Sequence, residues 1–137
     1  DGRLSLEREP DQQFDVLVVD AFSGDSIPVH LLSREAFQLY FRHLRPGGVL
    51  AVHVSNTALD LTQVVGKAVQ SLGKASLRIH AAPDSVIDRS ESEWILATDR
   101  PEPLEQPRFL AAASPSRPAP GLLVWTDDYS TVFPLLK

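Results

Sequence analysis

Apolar residues along the chain form continuous runs separated by stretches with helical spacing, which predicts strands that alternate with helices. The run FDVLVVD at residues 14–20 is unbroken and rich in β-branched residues, as in a strand buried on both faces of a parallel sheet. Three later segments, VLAVHVSN, ASLRIHAA and EWILATD, have the composition of further strands. The segment LLVWT is interpreted as a last short strand or an extended segment.

Helical spacing and capping residues define the elements between the first two strands. We predict a helix over residues 34–45, because its apolar residues recur three and four positions apart and Ser33 can cap its first turn. The RPGG sequence after it predicts its end. A short helix is expected for GRLSLERE at residues 2–9.

The second half of the chain contains one further helix and a proline-rich stretch. Asp60 and Gln63 resemble a capping box, and the helix that follows them is predicted to end at Gly73. Residues 101–120 carry six of the eleven prolines and are predicted to be mostly loop. The closing DDYSTVFPLLK is expected to form one or two helical turns.

The order strand–loop–helix–strand–helix–strand predicts a doubly wound α/β fold. We interpret residues 1–137 as a single partial domain. In such sheets ligands bind beyond the carboxyl ends of the strands. Asp20 ends the first strand and Asn56 follows the second, so we expect both residues to face one crevice.

Charge and composition narrow the choice of ligand. The chain has a formal charge of −5 and no run of lysine or arginine, which argues against a nucleic-acid or anionic-membrane surface and suits a small cationic substrate. The absence of cysteine excludes disulfides and thiolate chemistry. The pattern contains no convincing metal-ligand cluster and no membrane-spanning run, so we expect no metal and no membrane contact by this segment.

The loop DAFSGDSIPVHLL places two acids after a buried strand, and three interpretations of it are open. Asp20 with its serine and glycine neighbours is typical of a turn or helix cap. The same acids are also suited to binding an amine. A hydrolase nucleophile at Ser23 or Ser26 is a weak hypothesis, because the GxSxG elbow is missing and no histidine is placed by the sequence to act as base. Four histidines are scattered along the chain and are interpreted as structural: His30, His43, His53 and His80.

Several segments together resemble the C-terminal half of the spermidine synthase family, and more narrowly its spermidine-synthase-like branch. These segments are DGRLSLE, the stretch from FDVLVVDAFSGDSIPVHLL to VLAVHVSN, and LDL, while WTDDYS is similar to a closing motif of that branch. The resemblance implies a Rossmann-like, S-adenosylmethionine-dependent methyltransferase fold with a mainly parallel sheet and an antiparallel C-terminal strand. It also implies that the first half of that fold lies outside this chain.

The resemblance further implies transfer of an aminopropyl group from decarboxylated S-adenosylmethionine to an amine such as putrescine, with no metal. Asp20 matches the family's proposed base, which deprotonates the attacking amine. The positions that the resemblance assigns to the donor are Asp1, Gly2, Asp20 and Ala21.

The residues expected to bind the acceptor come from three segments: Ser23, Asp25, Asn56, Asp128 and Tyr129. Asp25 takes the place of the family's second acid, but four residues separate it from Asp20 where the family loop Asp-Ser-Ser-Asp-Pro has two. For the DDY segment at residues 127–129, a helix N-terminus is an equally good interpretation.

Two other functions stay open beside aminopropyl transfer. One is a methyltransferase-like enzyme that uses S-adenosylmethionine and another acceptor, since fold does not determine chemistry. The other is a non-catalytic module that binds a polyamine or a nucleoside. We expect a cytoplasmic location, with the parent chain in some cases fused to membrane segments. We also expect the chain to be inactive alone, because half of the donor pocket would be missing. Homo-oligomers are expected because VLVV would be a bare strand edge.

Overall fold

The computed structural model describes residues 2–20, 27–88, 90–115 and 118–137, and within them five strands form one sheet in the order β1-β2-β4-β3-β5. The strands are β1 (Phe14–Val19), β2 (Leu44–His53), β3 (Ala75–Ala81), β4 (Ser92–Thr98) and β5 (Ala113–Pro115). The helices are α1 (Gly2–Arg8), α2 (Arg34–His43), α3 (Leu61–Ser71) and α4 (Pro107–Ala112). Short 3₁₀ turns occupy Val29–Leu31, Glu102–Leu104 and Phe133–Leu135.

The sheet is mixed, which confirms the α/β class and refines the expected strand directions. β1 and β2 pair in parallel, whereas β4 is antiparallel to both of its neighbours, β2 and β3. The first three strands of the chain therefore share one direction, and the late strand β4 is inserted between two of them. β5 adds a further antiparallel pair at the edge beside β3.

The turn from α2 into β2 is tighter than predicted. The helix ends at His43, and Leu44 already pairs with Phe14 of β1. The next paired residue of β2 is Val49, so residues 45–48 bulge out of the pairing. A Cβ atom on Gly48 would lie 2.9 Å from the carbonyl oxygens of Phe14 and Arg45, and only glycine fits there.

Both predicted helix caps exist, and one of them differs in detail. The Ser33 side chain accepts the Ala36 amide at 3.2 Å, as predicted. Asp60 accepts the Thr62 amide at 3.2 Å, which confirms it as the N-cap of α3. The reciprocal half of the capping box is wrong, because the Gln63 amide group donates to the Asp60 carboxylate, and the Asp60 backbone N–H donates to the Leu135 carbonyl instead.

Two other predictions in the second half of the chain are corrected, and for LLVWT one of the two predicted alternatives is confirmed. Residues 101–120 contain a 3₁₀ turn, α4 and β5 rather than mostly loop, and proline at the start of α4 is compatible with a helix because its first amides need no partner. LLVWT is an extended segment without a strand, with Leu122 and Trp125 buried. The DDY segment forms a turn closed by Thr126 and Tyr129, so its interpretation as a helix N-terminus is wrong.

The two faces of the sheet differ in how well they are covered. Helices α2 and α3 pack with Leu50 and Val52 of β2 in a single buried core, together with Ile95 of β4. The alternate residues of β1 point to the other face, where Val16 and Val18 are 57% and 54% exposed. In the part of the chain that the structure describes, no helix is long and apolar enough to cross a membrane.

We expect the 137-residue chain to self-associate through β1, because the strand is at the sheet edge and presents exposed valines beside an unpaired backbone. Val16→Lys places a charge on this surface and is expected to shift the chain toward monomer in sedimentation at micromolar concentration. Val86→Lys, in an exposed turn, is the matched control and leaves the association unchanged. A wild-type chain that sediments as a monomer would contradict the expectation.

Candidate functional site

The parallel register of β1 and β2 brings Asp20 and His53 together. Val19 lies opposite Val52, so the residues that follow them meet at the carboxyl edge of the sheet. The Nδ1 atom of His53 is 2.8 Å from Oδ1 of Asp20. Sequence reasoning interpreted His53 as a strand residue and missed this contact. The detectable signal was that two neighbouring strand segments, VVD at residues 18–20 and AVH at residues 51–53, both end in a polar residue.

For a neutral imidazole, the two hydrogen-bond partners of His53 indicate which ring nitrogen carries the proton. An ionised Asp20 can only accept, so Nδ1 donates to it. Nε2 is 2.8 Å from the Ser55 hydroxyl and therefore accepts from it. The Ser55 oxygen also accepts the Glu93 backbone N–H at 2.8 Å, which directs the hydroxyl hydrogen toward His53. The Trp94 ring stacks on the imidazole with a centroid distance of 4.7 Å.

An open cleft of about 610 Å³ borders this array at the same edge of the sheet. Its lining residues are Ser55, Asn56, Thr57, Arg78, His80, Glu91, Ser92, Glu93 and Lys137. The acids of the cleft have basic partners: Arg78 binds Glu93, and His80 Nε2 lies 3.5 Å from Glu91. The cleft is thus polar, with charges of both signs.

Asn56 borders the cleft, and its side-chain oxygen has a local structural role. Oδ1 accepts the backbone amides of Ala58 at 3.0 Å and Leu59 at 2.9 Å. This arrangement is an Asx-type turn that leads from β2 toward α3. The Asn56 backbone carbonyl accepts Nζ of Lys137 at 2.7 Å, which attaches the C-terminal residue to the cleft wall.

A second polar cluster joins α1, the start of α2 and the C-terminal segment. The Arg3 guanidinium binds both carboxylate oxygens of Asp127, at 2.7 and 2.6 Å, and Ser33 donates to the same carboxylate at 2.6 Å. The hydrogen bond from Arg3 is the main cause that lowers the pKa of Asp127 to about 2, partly opposed by burial. Trp125, two residues before Asp127, is buried, and its backbone carbonyl accepts the backbone N–H of Arg34 at 2.8 Å. Within the WTDDYS motif, Trp125 and Asp127 therefore attach the C-terminal segment to α1 and to the start of α2.

The remaining candidates of the DDY segment lie elsewhere. Asp128 is exposed at the turn, and Tyr129 lines a separate hollow of about 290 Å³ beside Gln63 and Leu135. Neither residue lines the cleft at the strand ends, whereas Asn56 does. Their roles in acceptor binding stay predictions.

The remaining predicted site residues belong to the first two positions of the chain and to the loop sequence after β1. Gly2 is the exposed first residue of α1. Asp1, Ala21, Ser23 and Asp25 lie outside the described residues, as does Ser26. Among the residues that the structure describes, no group of three or more acids and histidines is arranged to hold a metal ion.

The chain resembles known proteins in part of its sequence and in its fold. No protein-family model matches the chain. Over 55 residues, 40% of this chain, it is 40% identical to a probable polyamine aminopropyl transferase from Bifidobacterium longum (strain NCC 2705), and the match spans 12% of that protein. The crystal structure of a probable spermidine synthase from Corynebacterium glutamicum ATCC 13032 superimposes with a TM-score of 0.52 at 23% identity. That superposition covers 72% of this chain and 35% of the other.

The fold likeness and the mixed sheet define the fold as methyltransferase-like α/β. The relative matched in sequence is named a probable polyamine aminopropyl transferase and the one matched in fold a probable spermidine synthase, so the two comparisons point to the same family. The chain spans about a third of the solved structure that it resembles.

Asp127→Asn is expected to lower the free energy of unfolding by about 1–2 kcal/mol, since it removes a charge-assisted contact whose carboxylate is 42% exposed and so partly screened. Because folding lowers the pKa of Asp127, its contribution is present above the ordinary carboxyl pKa of about 4 and is lost as the pH falls toward about 2. Urea unfolding between pH 2 and 7 measures both effects.

Asp128→Asn is the matched control, because the neighbouring acid is exposed. Equal unfolding free energies for the two variants at pH 7 would contradict a structural role for the Arg3–Asp127 pair.

Proposed function

We propose that this chain forms part of a spermidine-synthase-like aminopropyltransferase that uses decarboxylated S-adenosylmethionine as donor and a diamine or polyamine as acceptor. The observation that carries the proposal is the position of Asp20, an exposed carboxylate at the carboxyl end of β1 that His53 holds at 2.8 Å. The name of the Bifidobacterium relative supports the reaction class. In α/β sheets this edge is where ligands bind.

The chemistry of aminopropyl transfer explains why a carboxylate is needed there. An alkyl amine is an ammonium ion at neutral pH and has no lone pair for attack until it loses a proton. Asp20 accepts that proton, and the amine nitrogen then forms a bond to the propyl carbon of the donor. The carbon–sulfur bond breaks, and its electron pair stays on the sulfur, which changes from a sulfonium to a neutral thioether. Such positioned proton transfer typically contributes about 10²- to 10⁴-fold in rate.

The acceptor is proposed to be cationic, consistent with the net charge of −5. Asp25, Ser23 and Asn56 are proposed to bind the amine chain near Asp20, and Asp128 with Tyr129 to contribute from the C-terminal segment. The donor is proposed to contact Asp1, Gly2, Asp20 and Ala21. Two carboxylates that each bind an ammonium group determine the distance between those two groups. The wide spacing between the two acids of the loop therefore affects which acceptor length fits.

We expect the isolated 137-residue chain to show no transferase turnover, because its fold match spans 35% of the solved relative and the donor needs a complete pocket. The measurement is product mass after incubation with donor and acceptor, for the purified chain beside the full-length gene product. Turnover by the isolated chain would contradict the expectation.

The full-length protein, incubated with decarboxylated S-adenosylmethionine and a mixture of putrescine, cadaverine and spermidine, is expected to yield an aminopropylated amine. Asp20→Asn is expected to lower the turnover by about 10²-fold or more while most of the donor affinity is kept, because the substitution removes the base and its charged contact to the acceptor amine. Asp11→Asn is the matched control and is expected to keep full turnover. Asp11 is an exposed acid that pairs with Arg42, and it precedes β1, away from the carboxyl ends of the strands.

Other outcomes of this experiment distinguish the competing functions. Reaction with S-adenosylmethionine but not with its decarboxylated form would identify a methyltransferase-like enzyme. Amine binding that depends on Asp20, without any product, would identify a non-catalytic binding module.

A further inference from the structure

The hydrogen bonds around Asp20 form a series in which each group donates to the next. A carboxylate does not need such a series in order to act as a base. Asp20 accepts from Nδ1 of His53, Nε2 of His53 accepts from Ser55, and Ser55 accepts from the backbone of Glu93 in β4. Each of the three contacts measures 2.8 Å. The series thus begins on the rigid backbone of the neighbouring strand and ends at the candidate base.

Exposure increases along this series toward Asp20. The Asp20 side chain is 56% exposed, whereas that of His53 is 22% exposed. His53 is further restrained by the stacked Trp94 ring, which lies opposite it in the β2–β4 pairing. Of the Asp20 and His53 side chains, the carboxylate is therefore the more exposed, while Ser55 at the other end of the array lines the cleft.

We propose that His53 is a positioning residue for Asp20, a role that rests on the proposed function. Its Nδ1–H holds Oδ1 of Asp20, so that the second carboxylate oxygen is presented to the acceptor amine. Ser55 keeps the imidazole in the tautomer that donates at Nδ1. In its neutral form the imidazole orients the carboxylate without cancelling its charge, and the attraction for a cationic amine is then preserved.

The same order of contacts occurs in serine nucleophile triads, where aspartate orients histidine and histidine activates serine. In this chain the Ser55 oxygen is fixed by the Glu93 amide, and the exposed group is Asp20. An attacking serine needs its oxygen free to approach the ligand, and although Ser55 lines the cleft, that oxygen already accepts the Glu93 backbone N–H. The geometry favours Ser55 as a support for His53.

Two substitutions at position 53 separate the hydrogen bond from the ring stacking. His53→Phe keeps a ring against Trp94 and removes the donor to Asp20. His53→Asn loses the stacking and places an amide N–H close to the position of Nδ1. In the full-length protein we expect His53→Phe to lower kcat by about 10- to 100-fold with donor affinity unchanged, because a charge-assisted hydrogen bond is lost. His53→Asn is expected to restore most of that turnover, which a purely structural role of the ring would not allow.

The tautomer gives a second readout that does not depend on activity. In ¹⁵N-histidine-labelled protein, NMR is expected to show His53 protonated at Nδ1 in the wild type, and a mixture of tautomers after Ser55→Ala. Unchanged turnover in His53→Phe, equal losses in both His53 variants, or protonation at Nε2 would overturn the proposal. Labelling of Ser55 by a fluorophosphonate probe would also overturn it, by assigning the array to a serine nucleophile.

Failure of the proposed function has a different signature. If the full-length wild type yields no aminopropylated product, that function falls, and putrescine affinity then tests the positioning role in place of kcat. In that case His53→Phe is expected to weaken putrescine binding and His53→Asn to restore it. Equal putrescine affinity in all three proteins would overturn the inference.

Discussion

The parallel pairing of β1 with β2 is the constraint on which the candidate site depends. Val16 to Val19 lie opposite Val49 to Val52 without interruption, and Asp20 and His53 follow at equal height. A shift of one residue would turn Asp20 to the opposite face of the sheet. The bulge at residues 45–48 begins this register, and Gly48 allows it because the carbonyl oxygen of Phe14 leaves no room for a side chain.

The register also explains why the site is built from three strands. β4 runs antiparallel beside β2, so its first residues reach the edge where β1 and β2 end. Trp94 thereby lies against His53, and the Glu93 amide reaches Ser55. The cleft then continues to Arg78 and His80 at the end of β3. A mixed sheet thus gathers side chains from distant parts of the sequence along one edge.

The Arg3–Asp127 pair links the two ends of the chain to each other, as the strand register links Asp20 to His53. It joins α1 to the turn of the WTDDYS motif, and through Ser33 it reaches the N-terminus of α2. Arg3 also donates to the His30 carbonyl in the segment that precedes α2. The two terminal motifs that resemble the spermidine synthase family are therefore in direct contact, and one residue of each forms that contact.

Much of the architecture could be predicted from the sequence, because periodicity and capping are local signals. The strand FDVLVV, the Ser33 cap and the apolar stripe of α3 are examples. The pairing between Asp20 and His53 could not be predicted, since it depends on a strand register that joins residues 33 positions apart in the chain. The helix α4 was missed because proline content was interpreted as loop, although proline is accepted in a first helical turn.

The position of Asp20 beside a cation-binding edge is the central claim, and equilibrium binding tests it most directly. Calorimetric titration of putrescine into the full-length protein, saturated with the thioether product of the donor, compares the wild type with Asp20→Asn. The account predicts that the substitution weakens putrescine binding by about tenfold or more, because a charge-assisted contact to the ammonium group is lost. Equal affinities in the two proteins would contradict it.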